Sequence, residues 1–490
     1  MSAANPNKHH PKQLPQNTMR QLLLLLSLIT CSLPSQAAEP WFEKLKAEAT
    51  PEQLYRFLYA LPKGGDLHNH LSGGVRSEWM WDAALAQTAH GYTYYTKLRI
   101  NNCAAYGSNE YGPKPYLLLF VNMQASSYDK LDDCQKSEYK RLQDLNATEK
   151  AGWLDSIRLD QPYEGRNEFF GHWARLNDLW RNPYVTADIL YRDMQAFGKE
   201  GVAYLELQDA PLGYIKPDGS AYVGDEAIDI IRRRLAAADA KATGVEVRFQ
   251  STVLRFTPDA EEQLKAMYAF TDQHRDLYVS INLVGREDND KGYPLRFLPV
   301  FREMRKQYPD IKLSIHGGEV DEPNAHIHDT LLLGATRIGH GVNLITDPDM
   351  MLLMRNGAYM VEINLISNLM LEYVQNFQQH PFPEYLRTGI PVALSTDDRG
   401  MWDSNMTDEY FVAVREFKLS WEEIVQMGRN SLKYSFVQEP VKQKLLKDYE
   451  ARVGRFAAQF QKKGWDSLKD VKPVSYSFTC KHYQLCLPQE

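Results

Sequence analysis

Lys312-Leu313-Ser314-Ile315-His316-Gly317-Gly318-Glu319 and, one intervening stretch later, Arg337-Ile338-Gly339-His340-Gly341 are two short β-rich segments that each run from apolar residues into a histidine. The same cadence, a short β-rich segment followed by a longer helix-like stretch, recurs along the chain as βα units around a parallel sheet require. Eight such segments occur: Gly64 to His68, Val202 to Leu207, Val245 to Leu254, Tyr278 to Val284, Lys312 to His316, Arg337 to His340, Tyr359 to Ile363 and Val392 to Ser395. Helical patterns between the later ones carry stop signals, Leu295 to Tyr308 ending at Pro309 and Asp347 to Arg355 ending at Gly357. Eight parallel strands close into a (β/α)8 TIM barrel, so the fold class expected is α/β.

The first two segments stand too far apart for a single crossover. Residues 85–165, rich in Tyr, Asn, Asp and Lys, are therefore expected to form an insertion after the first strand, a lid or an interface at one barrel end. A helix-like run from Asn167 to Trp180 follows it. Beyond residue 408 the chain reads as extra C-terminal helices: Ser420 with Glu423 forms a capping box for a helix from Trp421, and Lys442 to Lys462 is amphipathic.

Polar residues collect where these strands run into loops. His68 and His70, at i and i+2, share one face of the first strand and can converge on one ion. His316 closes the fifth strand before Glu319, His340 closes the sixth, and Asp397 and Asp398 follow the eighth. In a barrel that end is one surface, built from several strands. Three neutral histidines and a carboxylate suit a borderline-soft divalent ion, zinc first, with iron, cobalt or manganese as alternatives. Glu319, His340 and Asp398 are left as acid and base groups beside it, the equipment of metal-assisted hydrolysis or deamination. A second His-x-His, His326 and His328, follows Pro323 and ends no strand, so it reads as a solvated loop or helix start.

Composition narrows the partners. The 490 residues are 43% hydrophobic and 24% charged, which excludes disorder, collagen and multi-span membrane architectures. Lys+Arg 56 against Asp+Glu 63 leaves a net charge of -7 and no broad basic footprint for nucleic acid. Residues 1–38 have the order of a secretory signal: Lys8, Lys12 and Arg20, then an apolar run from Leu22, then Ser35 and Ala37 before cleavage. Met19 is an alternative start and lipidation of Cys31 an alternative route. Removal of Cys31 leaves Cys103, Cys134, Cys480 and Cys486, most simply paired in that order as two disulfides, with free buried thiols as the alternative. The expected organisation is a signal over 1–38, a helical lead-in over 39–60, the barrel over 61–465 and a tail over 466–490. No stable membrane insertion is expected after cleavage.

These residues resemble the adenosine deaminase family of metal-dependent hydrolases, and within it the secreted adenosine deaminase growth factor branch. The resemblance rests on Pro62-Lys63-Gly64-Gly65-Asp66-Leu67-His68-Asn69-His70, Leu283-Val284-Gly285-Arg286-Glu287-Asp288, His316-Gly317-Gly318-Glu319 and Leu331 to Gly341. It continues through Ile366-Ser367-Asn368, His380-Pro381, Ser395 to Asp398, Asn430-Ser431 and Tyr434-Ser435-Phe436. It implies that His68, His70, His316 and Asp397 hold one zinc per chain. It further implies that Glu319 protonates N1 of the purine, His340 orients or deprotonates the water, Asp398 meets N7 and the Gly285 backbone meets N3. The implied reaction converts adenosine, and 2'-deoxyadenosine, to inosine and ammonia in an exported enzyme. Alternatives are a deaminase of another aminopurine (adenine, a nucleotide or a modified adenosine) and a noncatalytic extracellular purine-binding protein. Ser72 stands where cytosolic relatives carry an aspartate that meets the ribose, and Glu206-Leu207-Gln208 replaces the family's frequent Glu-x-Arg. The growth factor branch has a longer N-terminal dimerisation segment, which leaves a homodimer open.

Overall fold

A computed structural model describes residues 39–103, 108–109, 112–113, 118–161, 164–287, 289, 291–320 and 322–488. The expected signal segment with Met19 and Cys31, parts of the insertion, and Asp288 lie outside the described residues.

All eight expected strands form: β1 (Gly64–His70), β2 (Val202–Asp209), β3 (Glu246–Leu254), β4 (Tyr278–Val284), β5 (Lys312–Gly317), β6 (Arg337–His340), β7 (Met360–Ile363) and β8 (Val392–Leu394). They hydrogen-bond in that order, every pair parallel. Leu67, Leu205, Ile281, Ile315, Ile338 and Val361 are fully buried, as a sheet covered on both faces requires. The last strand meets the first through Asn69 and Asp397. There the His70 N–H donates to the Asp397 carbonyl at 3.2 Å and the Asp397 N–H to the His68 carbonyl at 2.8 Å. The result is a nearly closed (β/α)8 barrel with helices around it.

Helices Pro40–Glu48 and Pro51–Ala60 precede β1, and Met406–Phe417, Trp421–Lys433, Glu439–Lys463 and Ser477–Tyr483 follow β8. Trp421–Lys433 starts at the expected box, with the Ser420 N–H on Glu423 at 2.7 Å and the Glu423 N–H on Ser420 Oγ at 3.2 Å. This helix locks the bottom of the barrel: Ser431 Oγ accepts from the Gly65 N–H at 2.8 Å and Asn430 Nδ2 donates to the Val392 carbonyl at 2.9 Å. The approach is so close that a Cβ on Gly64 would lie 2.2 Å from the Gly428 carbonyl, and Gly64 sits at φ +81°.

The insertion carries a three-stranded antiparallel sheet, Asn122–Gln124 beside Tyr94–Lys97 beside Tyr139–Arg141. Disulfides join Cys103 to Cys134 and Cys480 to Cys486, the pairing expected. The run expected as one helix from Asn167 to Trp180 is instead an α-helix, Arg166–Leu176, followed by a 3-10 turn, Asn177–Leu179. The break is at Asn177, which takes φ 39° while its Nδ2 donates to the Asn122 carbonyl at 2.7 Å. Asn122 also accepts from Trp153 Nε1 at 2.8 Å and donates to the Arg175 carbonyl at 2.7 Å, so the insertion fixes where this helix ends.

Gly64→Ala should cost roughly 2–4 kcal/mol, from the left-handed backbone and the clash with Gly428 together. A chemical denaturation midpoint close to that of the parent protein would show that the barrel floor is not packed as described.

Candidate metal centre and active site

β1 delivers His68 and His70, β5 delivers His316, and the loop after β8 delivers Asp397. His68 Nε2 lies 3.4 Å and His70 Nε2 3.3 Å from Asp397 Oδ1, and His70 Nε2 lies 3.3 Å from His316 Nε2. Four bonds of about 2.0–2.1 Å in a tetrahedral shell would hold donor atoms roughly 3.3–3.4 Å apart. Among the described residues His68 Nε2 and Asp397 Oδ1, both buried, have no hydrogen-bond partner. Buried polar atoms normally find one, so converging lone pairs of this kind fit a small cation. The four expected ligands thus come together as one group able to hold a metal ion.

Hydrogen bonds behind the ligands fix which nitrogen is free. Gln250 Nε2 donates to the Leu67 carbonyl at 2.9 Å, which turns its Oε1 toward Asn282 Nδ2, also at 2.9 Å. Asn282 therefore presents Oδ1 to His316 Nδ1 at 3.0 Å, and His316 must carry its proton there, leaving Nε2 bare. His68 Nδ1 is likewise held by Glu362 Oε2 at 2.8 Å. Glu362 Oε1 in turn pairs with buried Arg337 at 2.7 Å, and Arg337 pairs with Glu206 Oε2 at 2.5 Å. Glu206 of the departing Glu206-Leu207-Gln208 motif therefore belongs to a charge relay beneath His68, while Gln208 lines the cavity above.

Glu319 and His340 face the same centre. His340 Nε2 lies 3.7 Å from Glu319 Oε1 and 4.0 Å from Asp397 Oδ2. His340 and Asp397 both adopt positive φ, 65° and 53°, backbone strain of the kind that collects at functional sites. Glu287 holds the Glu319 loop by accepting the Gly318 and Glu319 N–H groups, each at 2.9 Å, and is itself met by His326 Nδ1 at 2.8 Å. The second His-x-His thus opens the helix His326–Leu333, as expected, and one of its members also supports the site. Asp398 packs where Gly73 has no side chain, since a Cβ there would lie 1.6 Å from Asp398 Oδ1. Gly285, at φ +90°, presents backbone to the cavity.

Protonation follows burial and neighbouring charge. Burial, with the charge of Asp397 next, pushes the carboxyls of Glu319 and Asp398 well above the ordinary range. Burial also raises Asp397, but the His68 and His70 rings against its carboxylate outweigh that and hold it well below. Burial takes His340 down to about 3. For His68 burial is overcome by Asp397 and Glu362, which draw it up to about 10 and mark this as the point where the cluster favours positive charge. The three carboxyls are thus pushed in opposite directions, the one among the histidines toward its anion and the two beside it toward their acids.

Above them opens a cavity of about 900 Å³, near the upper end of the roughly 300–1,000 Å³ usual for small-molecule sites. Phe169, Phe170 and Trp173 of the helix Arg166–Leu176 cover it, with Leu254, Phe256 and Met267 opposite. Trp173 meets His70 edge to face at 5.5 Å. Ser72 also lines it. Residues the strand-end reading passed over are Asn282, Glu362, Glu287, Asn368 and His380; three of these stand inside the quoted motifs, and that was their only signal.

A family model for adenosine deaminase matches residues 140–451. The adenosine deaminase of Plasmodium gallinaceum is 29% identical over 289 residues, covering 58% of this chain and 76% of that protein. Among solved structures, an adenine deaminase from Arthrobacter aurescens superposes with a TM-score of 0.58 at 17% identity, over 80% of this chain and 99% of its own. An amidohydrolase from Burkholderia ambifaria, solved with bound zinc, gives a TM-score of 0.56 at 18% identity over 84% and 96%. These two likenesses bear on the fold.

Asn282→Leu removes the acceptor that fixes the His316 proton and should weaken metal affinity about 10–100-fold. Chelator competition on the purified protein reads this directly, and unchanged affinity would remove Asn282 from the supporting shell.

Proposed function

The chain belongs to the adenosine deaminase family, and from that premise we propose that it is an exported, zinc-dependent enzyme that hydrolyses adenosine to inosine and ammonia. The observation that carries this reading is the convergence of three histidine nitrogens and one carboxylate oxygen at 3.3–3.4 Å beside two acids and a fourth histidine. A zinc ion held by His68, His70, His316 and Asp397 supplies the Lewis acidity that makes water a nucleophile near neutral pH.

The chain's own groups do the rest. Glu319, kept protonated by burial and by Asp397, gives its proton to N1, which leaves C6 electron-poor. Asp398, also protonated, donates to N7, and the Gly285 N–H meets N3. His340 orients or deprotonates the attacking water. Oxygen adds to C6, the C6–N6 bond breaks, and the amine leaves as ammonia after gaining a proton. Phe169, Phe170 and Trp173 line the cavity with apolar surface, a low-dielectric wall that strengthens each of these charge interactions.

A nucleoside fits better than a nucleotide. Among the described lining residues Arg181 is the only Arg or Lys, and it is engaged by the Gly213 carbonyl at 3.0 Å and Asp178 at 3.5 Å. A phosphate would instead meet Asp209, Glu319, Asp397 and Asp398. The signal-like residues 1–38 and the two disulfides support export, in keeping with the resemblance to the growth factor branch.

Purified protein should convert adenosine to inosine in an ultraviolet assay, lose that activity on chelation and regain it with zinc, and turn over AMP at least 100-fold less efficiently. A folded, zinc-loaded protein that prefers adenine or AMP would overturn the substrate assignment. Glu319→Gln should keep zinc and lose about 100-fold or more in kcat, the usual scale for a proton donor. Activity should persist with rising pH until the raised carboxyl of Glu319 ionises, because the acid form does the work. A rate limb set by an ordinary carboxylate near pH 4 would remove Glu319 from that role.

A further inference from the structure

Asn368 and His380, two motif residues to which the reaction above gives no part, form a directed hydrogen-bond chain that ends on His340. Its direction can be fixed from a group with no ambiguity. The backbone N–H of Phe382 can only donate, and it lies 3.1 Å from His380 Nδ1, so His380 Nδ1 accepts. A neutral imidazole that accepts at Nδ1 carries its proton on Nε2. His380 Nε2 lies 3.0 Å from Asn368 Oδ1, which is therefore the oxygen end of the amide. The nitrogen end, Asn368 Nδ2, then points at His340 Nδ1 at 2.9 Å and donates to it. All three side chains are almost wholly buried, so water does not offer a competing partner.

Among the described residues Asn364 is a second amide beside the His340 ring, apart from the Glu319 and Asp397 carboxyls that face Nε2. Its Nδ2 lies 3.3 Å from Nδ1 and 3.4 Å from Nε2. Being nearly equidistant from both nitrogens, it lies off the axis of either and selects neither.

Resting on the deaminase reading above, we infer that Asn368 and His380 are positioning residues that hold His340 with its proton on Nε2, so that His340 donates a hydrogen bond to the attacking oxygen and does not act as its base. This is the reverse of His316, whose Nδ1 proton leaves Nε2 bare toward the metal site. Two amide relays of opposite polarity thus assign opposite tautomers to two histidines whose ring centroids are 5.3 Å apart. A proton lost by the attacking water then has to go to a carboxylate. Of the two carboxyls that face His340, Asp397 at 4.0 Å belongs to the metal site, and Glu319 at 3.7 Å, ionised once N1 has taken its proton, is free to accept. The proton balance closes on that residue: Glu319 gives one to N1, receives one from the water, passes it to the leaving amine, and takes the C6 hydroxyl proton as inosine forms, which restores the acid.

The test is long-range proton–nitrogen correlation spectroscopy of the imidazoles in the zinc-loaded protein, with His340 assigned by the signal missing in His340→Gln. Expected at neutral pH is a neutral ring with a protonated Nε2 and a bare Nδ1. A proton on Nδ1, or a doubly protonated ring, overturns the inference whether or not adenosine is the substrate. Asn368→Asp replaces the donor by an acceptor and should move the proton to Nδ1, lower kcat by 100-fold or more, and leave KM and zinc content within about twofold. An Asn368→Asp protein that folds and keeps the Nε2 proton would equally overturn it. If the spectra agree but adenosine is not turned over, the relay stands and the substrate assignment falls.

Discussion

The barrel closes on its own candidate metal ligands. Asp397 gives its N–H to the carbonyl of His68 and takes the N–H of His70 on its carbonyl, and these two bonds join the last strand to the first. Because the seam and the ligand set share residues, main-chain hydrogen bonds hold the backbones of His68, His70 and Asp397 in fixed register, and with them the loop that carries the carboxylate. The arrangement has a cost: Asp397 is held at φ 53°, a conformation worth about 1–3 kcal/mol of strain in a non-glycine residue. Asp66 offsets part of it from beneath, accepting from the Thr396 N–H at 3.2 Å and Thr396 Oγ1 at 2.6 Å. Asn69, between the two histidines, donates to the same Thr396 hydroxyl at 2.8 Å. The residue separating the two histidines thus helps hold the strand that brings the carboxylate.

Below this seam the barrel interior is charged. Glu206, Arg337 and Glu362 are fully buried and paired in line, ending on His68. Burying three ionised groups is rarely a net gain over apolar packing, and removing one partner of such a set is strongly destabilising. Stability alone therefore gives little reason for the line to exist. Its value lies in orientation: a carboxylate anchored by a guanidinium cannot rotate away from His68 Nδ1. The other end of the line reaches Tyr434 and Phe436, where Arg337 donates to the Tyr434 carbonyl at 3.2 Å and lies over the Phe436 ring at 3.9 Å. That accounts for the motif Tyr434-Ser435-Phe436, far along the chain from any site residue.

What was legible in the sequence follows the same physics. The strands of a covered parallel sheet are apolar on both faces, so a polar residue at their end stands out; His68, His316, His340 and Asp397 were readable for that reason. The eight strands and the insertion were readable from cadence and spacing. Asn282 and Glu362 were not, because a polar residue inside an apolar strand acquires meaning only from its neighbour across the barrel. His68 and Glu362 are 294 residues apart, and nothing local to either announces the other. The direction of a hydrogen bond is further still from the sequence: His316 and His340 both stand at the C-terminal ends of neighbouring strands, and only the amides behind them distinguish their protons. The end of the helix Arg166–Leu176 was missed because the chain turns at Asn177 to satisfy Asn122, a tertiary demand that helix periodicity does not carry.

The sharing of protons among the carboxyls ties the electrostatics to the proposed substrate. Three carboxyls crowd one largely buried site, and three adjacent anions there would repel strongly. The one with two histidines against it, Asp397, is drawn toward its anion, and burial beside that charge draws Glu319 and Asp398 toward their acid forms. An acid that stays protonated at neutral pH is a hydrogen-bond donor. Under the proposed function the walls of the site present Glu319, Asp398 and the Gly285 backbone as donors, while the ring of adenine presents acceptors at N1, N3 and N7 and its amine, the group to be lost, as donor. Deamination turns C6 into a carbonyl and puts a proton on N1, so the product offers a donor where the site offers another. Under that reading the reaction itself reduces the complementarity that binds the substrate, which favours release of the product.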